Sequence, residues 1–288
     1  MIYMNNYRVI IPNKYKNKFF GVDFFANVCN GSDSSFKYYA SSIDELMIFQ
    51  NEEVGFSAQK FEIFKYEVAN LEDKGIIGFF QNPDIYDCID SIKIILDELS
   101  KNELGLFIES SSENILNDLE LLKDFSSKLP LLVAIPISSY SEMSLSFFSK
   151  DRNLEAKSKL IHKLVDSGIN VGLIYKPLIP RINDDLSDME KIINKADTLN
   201  VKFIYPSFTL YFDSFKIKNF YDIIDKEKPE LKNYYFDNYG FKYSWESQNL
   251  EQLKRFFVFA SKKSKIKFAM KDIISLYKDE DFTQLKLF

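Results

Sequence analysis

The chain has few of the residues that usually hold metals or cross-link small secreted folds. Its 288 residues include two cysteines, Cys29 and Cys88, and one histidine, His162. Two thiols are too few for a disulfide scaffold, a four-thiolate zinc site or a four-cysteine iron–sulfur cluster. One imidazole is too few for a histidine-rich metal centre. Composition therefore excludes these frameworks.

Positive charge is also scarce. The formal net charge is −5, which does not match the broad basic surface of a protein that binds nucleic acid on its own. Arginine is rare, so bidentate recognition of phosphate or guanine has few candidates. We therefore expect any association with DNA to be weak or indirect.

A leader segment and long apolar runs are missing from the sequence. The N-terminus has no basic segment that leads into an apolar stretch, so we expect no signal peptide. The longest apolar run, Leu129 to Ile137, is interrupted by Pro130 and Pro136 and is too short to span a bilayer. These features favour a cytoplasmic protein without membrane contact.

The middle of the chain alternates between short apolar runs and helical patterns. The runs predict buried parallel strands at Phe20–Val28, Ile76–Phe80, Gly105–Ile108, Leu131–Ile135, Val171–Tyr175 and Phe203–Pro206. Between them, apolar residues recur every three or four positions, and Gly75, Gly168 and Asn200 stand where helices should end. Six βα units predict an α/β barrel of the TIM type, complete or incomplete.

The alternation fades after the sixth strand. We expect the barrel to occupy residues 1–215 and a helical C-terminal extension packed on it to occupy residues 216–280, followed by a flexible tail over residues 281–288. Two helices are predicted within the extension, at Gln248–Ala260 and Met270–Tyr277.

Polar side chains after the predicted strands give few catalytic candidates. Ser110 and Glu113 fit a capping box, and Asp184 or Asp185 is expected to cap the helix that begins at Leu186. Lys176 and Arg181 also follow the fifth strand, on the side where barrels carry function, so a Lys–Asp acid/base pair is an alternative interpretation. His162 falls within a helical pattern, where a histidine that faces solvent or is satisfied by its neighbours is favoured over a catalytic one.

The loop after the first strand carries a specific resemblance. It begins Asn27-Val-Cys-Asn-Gly31, and together with Phe20–Asp23, Ser167–Ile169, Pro177–Asp184, Phe203–Ser207 and Met270–Ile274 it resembles the radical SAM superfamily. The similar branch contains spore photoproduct lyase and related DNA repair photolyase-type proteins. In that branch the loop reads Asn-x-x-x-Gly-Cys-x-x-x-Cys-x-x-Cys, and its three thiolates hold a [4Fe–4S] cluster.

The resemblance implies that the cluster ligands are lost. Matching Asn27 and Gly31 to the family frame places Ser32, Phe36 and Tyr39 at the three cysteine positions. Serine is a poor oxygen ligand for iron–sulfur clusters, and phenylalanine has no lone pair to donate. An irregular ligand set of Cys29, Tyr39 and Cys88 is disfavoured for the same reason.

The resemblance also identifies a degenerate cofactor loop. The family's glycine-rich approach to S-adenosylmethionine (SAM) corresponds here to Gly78-Phe-Phe-Gln-Asn-Pro-Asp-Ile-Tyr86. If SAM were still bound, the contacting residues would be Gly78, Asn82, Pro83 and Tyr86. The rings expected to fill the vacated space are Phe36, Phe79, Phe80 and Phe148. A new apolar pocket that stacks a flat ligand is the alternative interpretation.

The C-terminal residues Gln284-Leu-Lys-Leu-Phe288 resemble the peptide by which bacterial polymerases and repair proteins dock on the sliding clamp. In such a peptide the amide of Gln284 fixes orientation, while Leu285, Leu287 and Phe288 fill an apolar groove. The alternative is that Leu287 and Phe288 fold back onto the domain.

These observations predict a radical-SAM-like barrel without cluster, SAM or metal. It would be a binding or regulatory protein, recruited to DNA through the sliding clamp. One alternative is an active enzyme, either a radical SAM DNA-lesion lyase with unconventional ligands or a non-radical barrel enzyme. A partner subunit for an active paralogue is a further alternative.

Overall fold

The computed structural model describes residues 8–15, 19–30, 55–80, 83–140, 153–212 and 214–278. The strands are β1 (Ile10–Pro12), β2 (Phe24–Ala26), β3 (Cys29–Asn30), β4 (Gly55–Phe56), β5 (Ile76–Phe79), β6 (Gly105–Glu109), β7 (Leu131–Ile137), β8 (Val171–Tyr175), β9 (Phe203–Pro206), β10 (Thr209–Tyr211) and β11 (Ser244–Glu246). The α-helices are α1 (Ala58–Ala69), α2 (Ile85–Cys88), α3 (Lys93–Lys101), α4 (Leu119–Ser126), α5 (Leu154–Asp166), α6 (Leu186–Thr198), α7 (Ser214–Glu227), α8 (Lys232–Asn238), α9 (Leu250–Ser261) and α10 (Met270–Ile274). Two 3₁₀ helices, Glu113–Asp118 and Pro229–Leu231, precede α4 and α8.

A seven-stranded sheet organises the molecule, in the order β1-β2-β5-β6-β7-β8-β9. Strand β1 pairs antiparallel with β2, and the strands from β2 to β9 pair in parallel. Every residue of β5, β6, β7 and β8 is buried. Parallel strands covered on both faces need continuous apolar runs, which is why the sequence predicts these strands well.

The sheet is open rather than closed. Its edges are β1 and β9, and two short antiparallel pairs, β3 with β4 and β10 with β11, lie outside it. The α/β alternation of the sequence is therefore confirmed, whereas the predicted TIM-type barrel is not.

The two faces of the sheet are covered differently. One face packs against a layer of helices, in a core that contains Phe64 of α1, Leu160 of α5 and Phe257 of α9. The other face carries a smaller, aromatic-rich core that includes Phe25 and Phe107. Because side chains alternate across a strand, neighbouring residues of one strand enter different cores.

The C-terminal segment closes one end of the aromatic core. The Tyr277 hydroxyl donates to the Phe20 carbonyl at 2.5 Å, and the buried Lys278 ammonium lies 2.7 Å from Asp23 Oδ2. The backbone at Lys267 lies beside β9, and its carbonyl accepts a hydrogen bond from Ile204 N at 2.9 Å. These contacts fix the chain between α9 and residue 278 against the sheet.

Local capping agrees with part of the sequence analysis. Gly168 and Asn200 adopt positive φ angles of 83° and 56°, as expected at helix ends. Asp185 caps α6 by accepting from Asp188 N. Gly75 does not adopt a positive φ, and its position lies against Asp23.

The predicted capping box at Ser110 and Glu113 is wrong. Ser112 caps the 3₁₀ helix that begins at Glu113, because its side chain accepts from Asn114 N. The Ser110 hydroxyl instead donates to Asp84 Oδ2 at 2.9 Å. The Ser110 hydroxyl therefore binds a buried carboxylate of a neighbouring βα unit, and it does not cap the helix as the sequence pattern predicts.

A separate aromatic cluster lies around the β10–β11 hairpin and the helices α7 and α8. Trp245 is buried at its centre, with Tyr239 stacked at a centroid distance of 4.8 Å and Phe212 at 4.5 Å. The Tyr235 hydroxyl of this cluster donates to the Pro180 carbonyl at 2.5 Å, which joins it to the loop after β8. None of the described helices is both long and apolar enough to cross a bilayer.

Candidate functional site

Polar side chains gather at the carboxyl edge of the sheet. The buried members include Cys29 after β2, Asp84 after β5, Glu109 and Ser110 at the end of β6, and Lys176 after β8. Parallel strands end at the same edge of a sheet, so residues distant in sequence meet there. This edge is the candidate functional site.

A disulfide links the first two loops of this edge. Cys29 and Cys88 are bonded to each other with a Cα–Cα distance of 6.0 Å, across a sequence separation of 59. The backbone around Cys29 is held by Asn27 Oδ1, which accepts from Cys29 N, and by Lys60 Nζ, which donates to the Cys29 carbonyl. Because the sequence contains two cysteines, this bond uses every thiol of the chain.

Asp84 is a buried carboxylate with three donors around it. It accepts from Tyr86 N as the cap of α2, and its Oδ2 accepts from Ser110 Oγ at 2.9 Å and Ser111 N at 2.8 Å. Burial, followed by the charge of Asp87, raises the pKa of Asp84 from 3.8 to about 6. The hydrogen bonds lower the pKa, but desolvation is the larger effect.

Tyr86 lies two residues before Cys88 in α2 and is 1% exposed. Burial, and then the charge of Asp118, raise the pKa of Tyr86 above its usual value. Asp118 itself accepts from Ser91 Oγ at 2.5 Å and Ile92 N at 2.7 Å. Tyr86 therefore stays a neutral phenol that packs in the core.

Glu109 and Lys176 form a buried ion pair. Lys176 Nζ lies 2.7 Å from Glu109 Oε1, and the side chains are 6% and 0% exposed, respectively. Both charges have left water, so their mutual attraction offsets a desolvation cost of several kcal/mol per ion. Glu109 ends β6 and Lys176 follows β8, so the pair bridges the end of β7 between them.

The loop after β8 is fixed by one buried amide. Asn183 donates to the carbonyls of Ser138 and Pro177 at 2.5 and 2.8 Å, and it accepts from Ile179 N at 2.6 Å. The Lys176–Pro177 peptide bond is cis. This loop is one of the segments that resemble the family, and in this chain Asn183 has a structural role.

The remaining polar candidates after β8 do not form a Lys–Asp pair. Lys176 pairs with Glu109, while Asp184 accepts from Arg181 N at 2.7 Å and Ser247 Oγ at 2.5 Å. The Arg181 guanidinium lies 5.0 Å from the centroid of the Tyr234 ring. The lone histidine, on α5, is exposed as expected.

The residues of the predicted cofactor loop do not lie together in one loop. Gly78 lies inside β5, where a Cβ would stand 2.7 Å from Val22 Cγ1 and 2.8 Å from Phe80 Cε2. Pro83 and Tyr86 are buried beyond the end of that strand. Asn82 lies outside the described residues.

The other predicted site residues also lie outside the described part of the chain. They comprise the degenerate cluster positions Ser32, Phe36 and Tyr39, the ring of Phe148, and the tail residues Gln284, Leu285, Leu287 and Phe288.

Phe79 and Phe80 fill the core, as expected. Phe80 contacts Phe25 and Phe107 at centroid distances of 5.3 and 4.8 Å, and Phe79 lies 5.9 Å from Phe64 on the opposite face of the sheet. These rings occupy the interior directly before the carboxyl edge. Their packing leaves Gly78 enclosed rather than open to a ligand.

The sequence analysis missed the Cys29–Cys88 bond, the carboxylate of Asp84 and the Glu109–Lys176 pair. Asp84 precedes Ile85 at a helix start, a capping signal that could have singled it out. Glu109 closes an apolar run, where a charge marks the end of a buried strand. No local pattern indicates the disulfide, because its partners lie on separate elements.

The donors that the chain offers do not fit a [4Fe–4S] cluster held by three thiolates. Both sulfur atoms are bonded to each other, and hard oxygen donors are poor ligands for such clusters. In the described ranges, no three His, Cys, Asp or Glu side chains form a group that could hold a metal ion.

Comparison with known proteins gives a structural likeness alone. No family model and no curated protein matches the chain. Spore photoproduct lyase complexed with dinucleoside spore photoproduct matches with a TM-score of 0.61 and 12% identity, over 86% of this chain and 76% of that one. A cysteine-to-alanine variant with the same ligand gives 0.57 and 11%, and a tyrosine-to-phenylalanine variant gives 0.55 and 12%, each over 75% of this chain and 68% of that one. The chain therefore shares the α/β fold of spore photoproduct lyase, as the resemblance of its sequence implies.

Proposed function

We propose that the chain is a binding or regulatory protein that keeps a radical-SAM-like fold without [4Fe–4S]-dependent catalysis. The observation that carries the proposal is the bond between Cys29 and Cys88 at the carboxyl edge of the sheet. It uses the whole thiol content of a chain whose relatives in fold would need three thiolates for the cluster.

The lost ligands remove the chemistry of the cofactor. The cluster supplies the electron that cleaves SAM, so a chain without cluster ligands cannot carry out this step. The family frame places Ser32, Phe36 and Tyr39 at the ligand positions, and none of these side chains replaces a thiolate.

The packing near β5 supports the same proposal. The Phe80 ring lies between Phe25 and Phe107, and Gly78 faces Val22 and Phe80 at close distance. A glycine-rich cofactor loop works by letting a ligand approach the backbone, whereas here side chains fill that space.

Anaerobic reconstitution tests the proposal. Reduced wild-type protein and a Cys29→Ser/Cys88→Ser variant are incubated with iron and sulfide beside a known iron–sulfur protein as the positive control. We expect neither to gain stoichiometric iron, sulfide or charge-transfer absorbance. A stoichiometric cluster in reduced wild-type protein that the variant lacks would overturn the proposal and favour a radical SAM enzyme with unconventional ligands.

We propose further that the C-terminal tail recruits the protein to the bacterial sliding clamp. The support is the sequence Gln284-Leu-Lys-Leu-Phe288, with an amide for orientation and three apolar side chains for a groove. Recruitment by a protein partner suits a chain of net charge −5, because it does not rely on attraction to DNA.

Clamp binding is measured for the wild type, Phe288→Ala and Lys286→Ala. Lys286 occupies the variable position of the motif, so it is the matched control. We expect Phe288→Ala to lose most of the affinity and Lys286→Ala to keep it. Equal binding by all three, or no binding by the wild type, would dispose of clamp recruitment while leaving the cluster argument untouched.

A non-radical enzyme is the second candidate, and the Glu109–Lys176 pair is the observation that favours it. A buried lysine and carboxylate 2.7 Å apart at a strand edge are groups that could exchange a proton. Stoichiometric binding of SAM or a nucleotide that Lys176→Met abolishes, without loss of folding, would support the enzyme.

A further inference from the structure

Positive charge is concentrated in α9 and the turn that follows it. Residues 252–271 contain seven lysines and arginines and no aspartate or glutamate, in a chain whose net charge is −5. Such a run in an acidic protein stands out from the composition and calls for its own explanation.

Helix α9 presents this charge on one side. Leu253 and Phe257 are buried against the helical layer of the main core, where α9 contacts α6. The opposite side forms a basic face, made of Lys254, Arg255, Val258, Phe259, Lys262 and Lys263, all exposed. The exposed Lys265, Lys267 and Lys271 continue the charge beyond the helix.

Several lysines elsewhere on the surface are paired with a carboxylate, whereas most cations of this region are not. Lys93 on α3, Lys159 on α5 and Lys128 after α4 each lie within 2.8 Å of a carboxylate four residues before or after them. On α9, Lys254 lies 3.6 Å from Glu251. In the part of the chain that the structure describes, no carboxylate lies within 4 Å of Arg255, Lys262, Lys263, Lys265, Lys267 or Lys271.

An aromatic ring is exposed within the basic face. Phe259 is 59% exposed, and the Lys263 ammonium lies 4.2 Å from its ring centroid. The ring and the ammonium together offer a stacking surface beside a positive charge.

We propose that the basic face of α9 binds a single strand of nucleic acid. Its phosphates would neutralise the row of lysines and Arg255, and one base would stack on Phe259. The net charge of the chain does not prevent this, because salt screens exposed charges beyond about 10 Å. The proposal rests on this surface alone and holds whether or not the chain binds a cluster or the clamp.

Charge complementarity favours nucleic acid over a membrane surface. An interfacial helix buries a wide apolar face in the lipid, but the apolar face of α9 is already buried by Leu253 and Phe257. The exposed face offers two apolar side chains, Val258 at 39% and Phe259 at 59% exposure. The cations greatly outnumber these, as in sites that follow a phosphate backbone.

Fluorescence anisotropy with a labelled oligo-dT of about 16 nucleotides tests the proposal. We expect salt-dependent binding by the full chain, weakened about tenfold or more by Lys262→Glu/Lys263→Glu at about 50 mM salt. The slope of log K against log salt should become shallower by about 1.4, since each phosphate contact to a single strand contributes about 0.7. Phe259→Ala should weaken binding roughly 5- to 100-fold with little change in that slope.

Matched controls separate this face from general effects. Lys128→Glu/Lys159→Glu makes the same change of charge outside this face, after α4 and on α5, and Phe241→Ala removes a ring that is 66% exposed in the aromatic cluster. Both should bind as the wild type does. Lys262→Gln/Lys263→Gln, with thermal unfolding measured for each variant, checks that lost binding is not lost folding.

Three results would overturn the proposal. The first is no oligonucleotide binding by the wild type at low salt. The second is an equal loss of binding in the control variants. The third is binding to anionic phospholipid vesicles that Phe259→Ala removes, with no binding to the oligonucleotide, which would identify the face as a membrane contact.

Discussion

Replacing the buried carboxyl group of Asp84 with an amide is expected to change how the stability of the protein depends on pH. Burial raises the pKa of Asp84 to about 6 in the folded chain, and the nearby charge of Asp87 adds to the effect. In the unfolded chain an aspartate titrates near 3.9. Between these values the folded state holds a proton that the unfolded state releases, so stability falls as pH rises.

The size of the effect follows from the shift. A difference of about two pKa units, at about 1.36 kcal/mol each, corresponds to about 3 kcal/mol. The side chain is 0% exposed, so solvent does not screen the interaction. This contribution is fully present below about pH 4 and is lost as pH rises through about 6.

Urea unfolding of the wild type and of Asp84→Asn, at several pH values between about 4 and about 7, measures the pH-dependent contribution of Asp84 to the free energy of unfolding. The amide does not titrate, whereas other acids with raised pKa values, such as Asp188, titrate in both proteins. The free energy of unfolding of the wild type minus that of the variant should therefore fall by about 2 kcal/mol across this range, because at about pH 4 the unfolded aspartate is already partly ionised. Asp84→Asn should also have a lower free energy of unfolding by an amount that does not depend on pH, because its amide cannot accept from every donor that surrounds the carboxylate.

The exposed Asp87 provides the control. Asp87→Asn removes a neighbouring negative charge, so the pKa of Asp84 should decrease and the loss of stability should start at lower pH. A difference between the wild type and Asp84→Asn that is flat with pH, or that grows as pH rises, would refute the reasoning about burial.

Two further substitutions test the packing and the charges of the sheet. Gly172→Ala should destabilise the protein by about 1–3 kcal/mol or more in urea unfolding, because a Cβ there would lie 2.1 Å from Phe203 Cδ1. Gly55→Ala, with nothing within 4 Å, should stay within about 0.5 kcal/mol of the wild type, and equal effects of the two changes would contradict the packing. Lys176→Met should cost about 3–5 kcal/mol, because the buried charge of Glu109 loses its counter-charge. Adding Glu109→Gln should restore part of that loss, and strict additivity in the double-mutant cycle would refute the coupling.

The strands were predictable because one physical constraint, burial on both faces of the sheet, determines which residues they can contain. A parallel strand buried on both faces has no polar positions, so Val171–Tyr175 and Phe203–Pro206 are visible as apolar runs with the observed bounds. Helix ends with a positive φ, at Gly168 and Asn200, are visible because few residues adopt that conformation. Local chemistry decides both features.

Features that depend on distant contacts were not predictable in the same way. Whether the sheet closes depends on how its edge strands β1 and β9 approach each other, which no local pattern records. Ser110 was assigned to a helix cap, but a carboxylate 26 residues away competes for its hydroxyl. The Cys29–Cys88 bond joins elements that come together only when β2 and β5 pair.

The disulfide also bears on the expected location of the protein. Disulfides persist in oxidising compartments and are rare in the cytosol. The bond therefore does not support the expected cytoplasmic location, which stays a prediction. The bond closes a loop of 59 residues, for which chain entropy gives a stabilisation of about 4 kcal/mol.

The central claim is that the two sulfur atoms are bonded to each other and are unavailable to iron. Peptide mapping of the purified chain, alkylated under denaturing conditions without reductant, tests it most directly. The account predicts a linked peptide pair containing Cys29 and Cys88, no alkylated cysteine, and two alkylated cysteines after reduction. Two alkylated cysteines before reduction would contradict it, and stoichiometric bound iron in the same protein would favour a cluster.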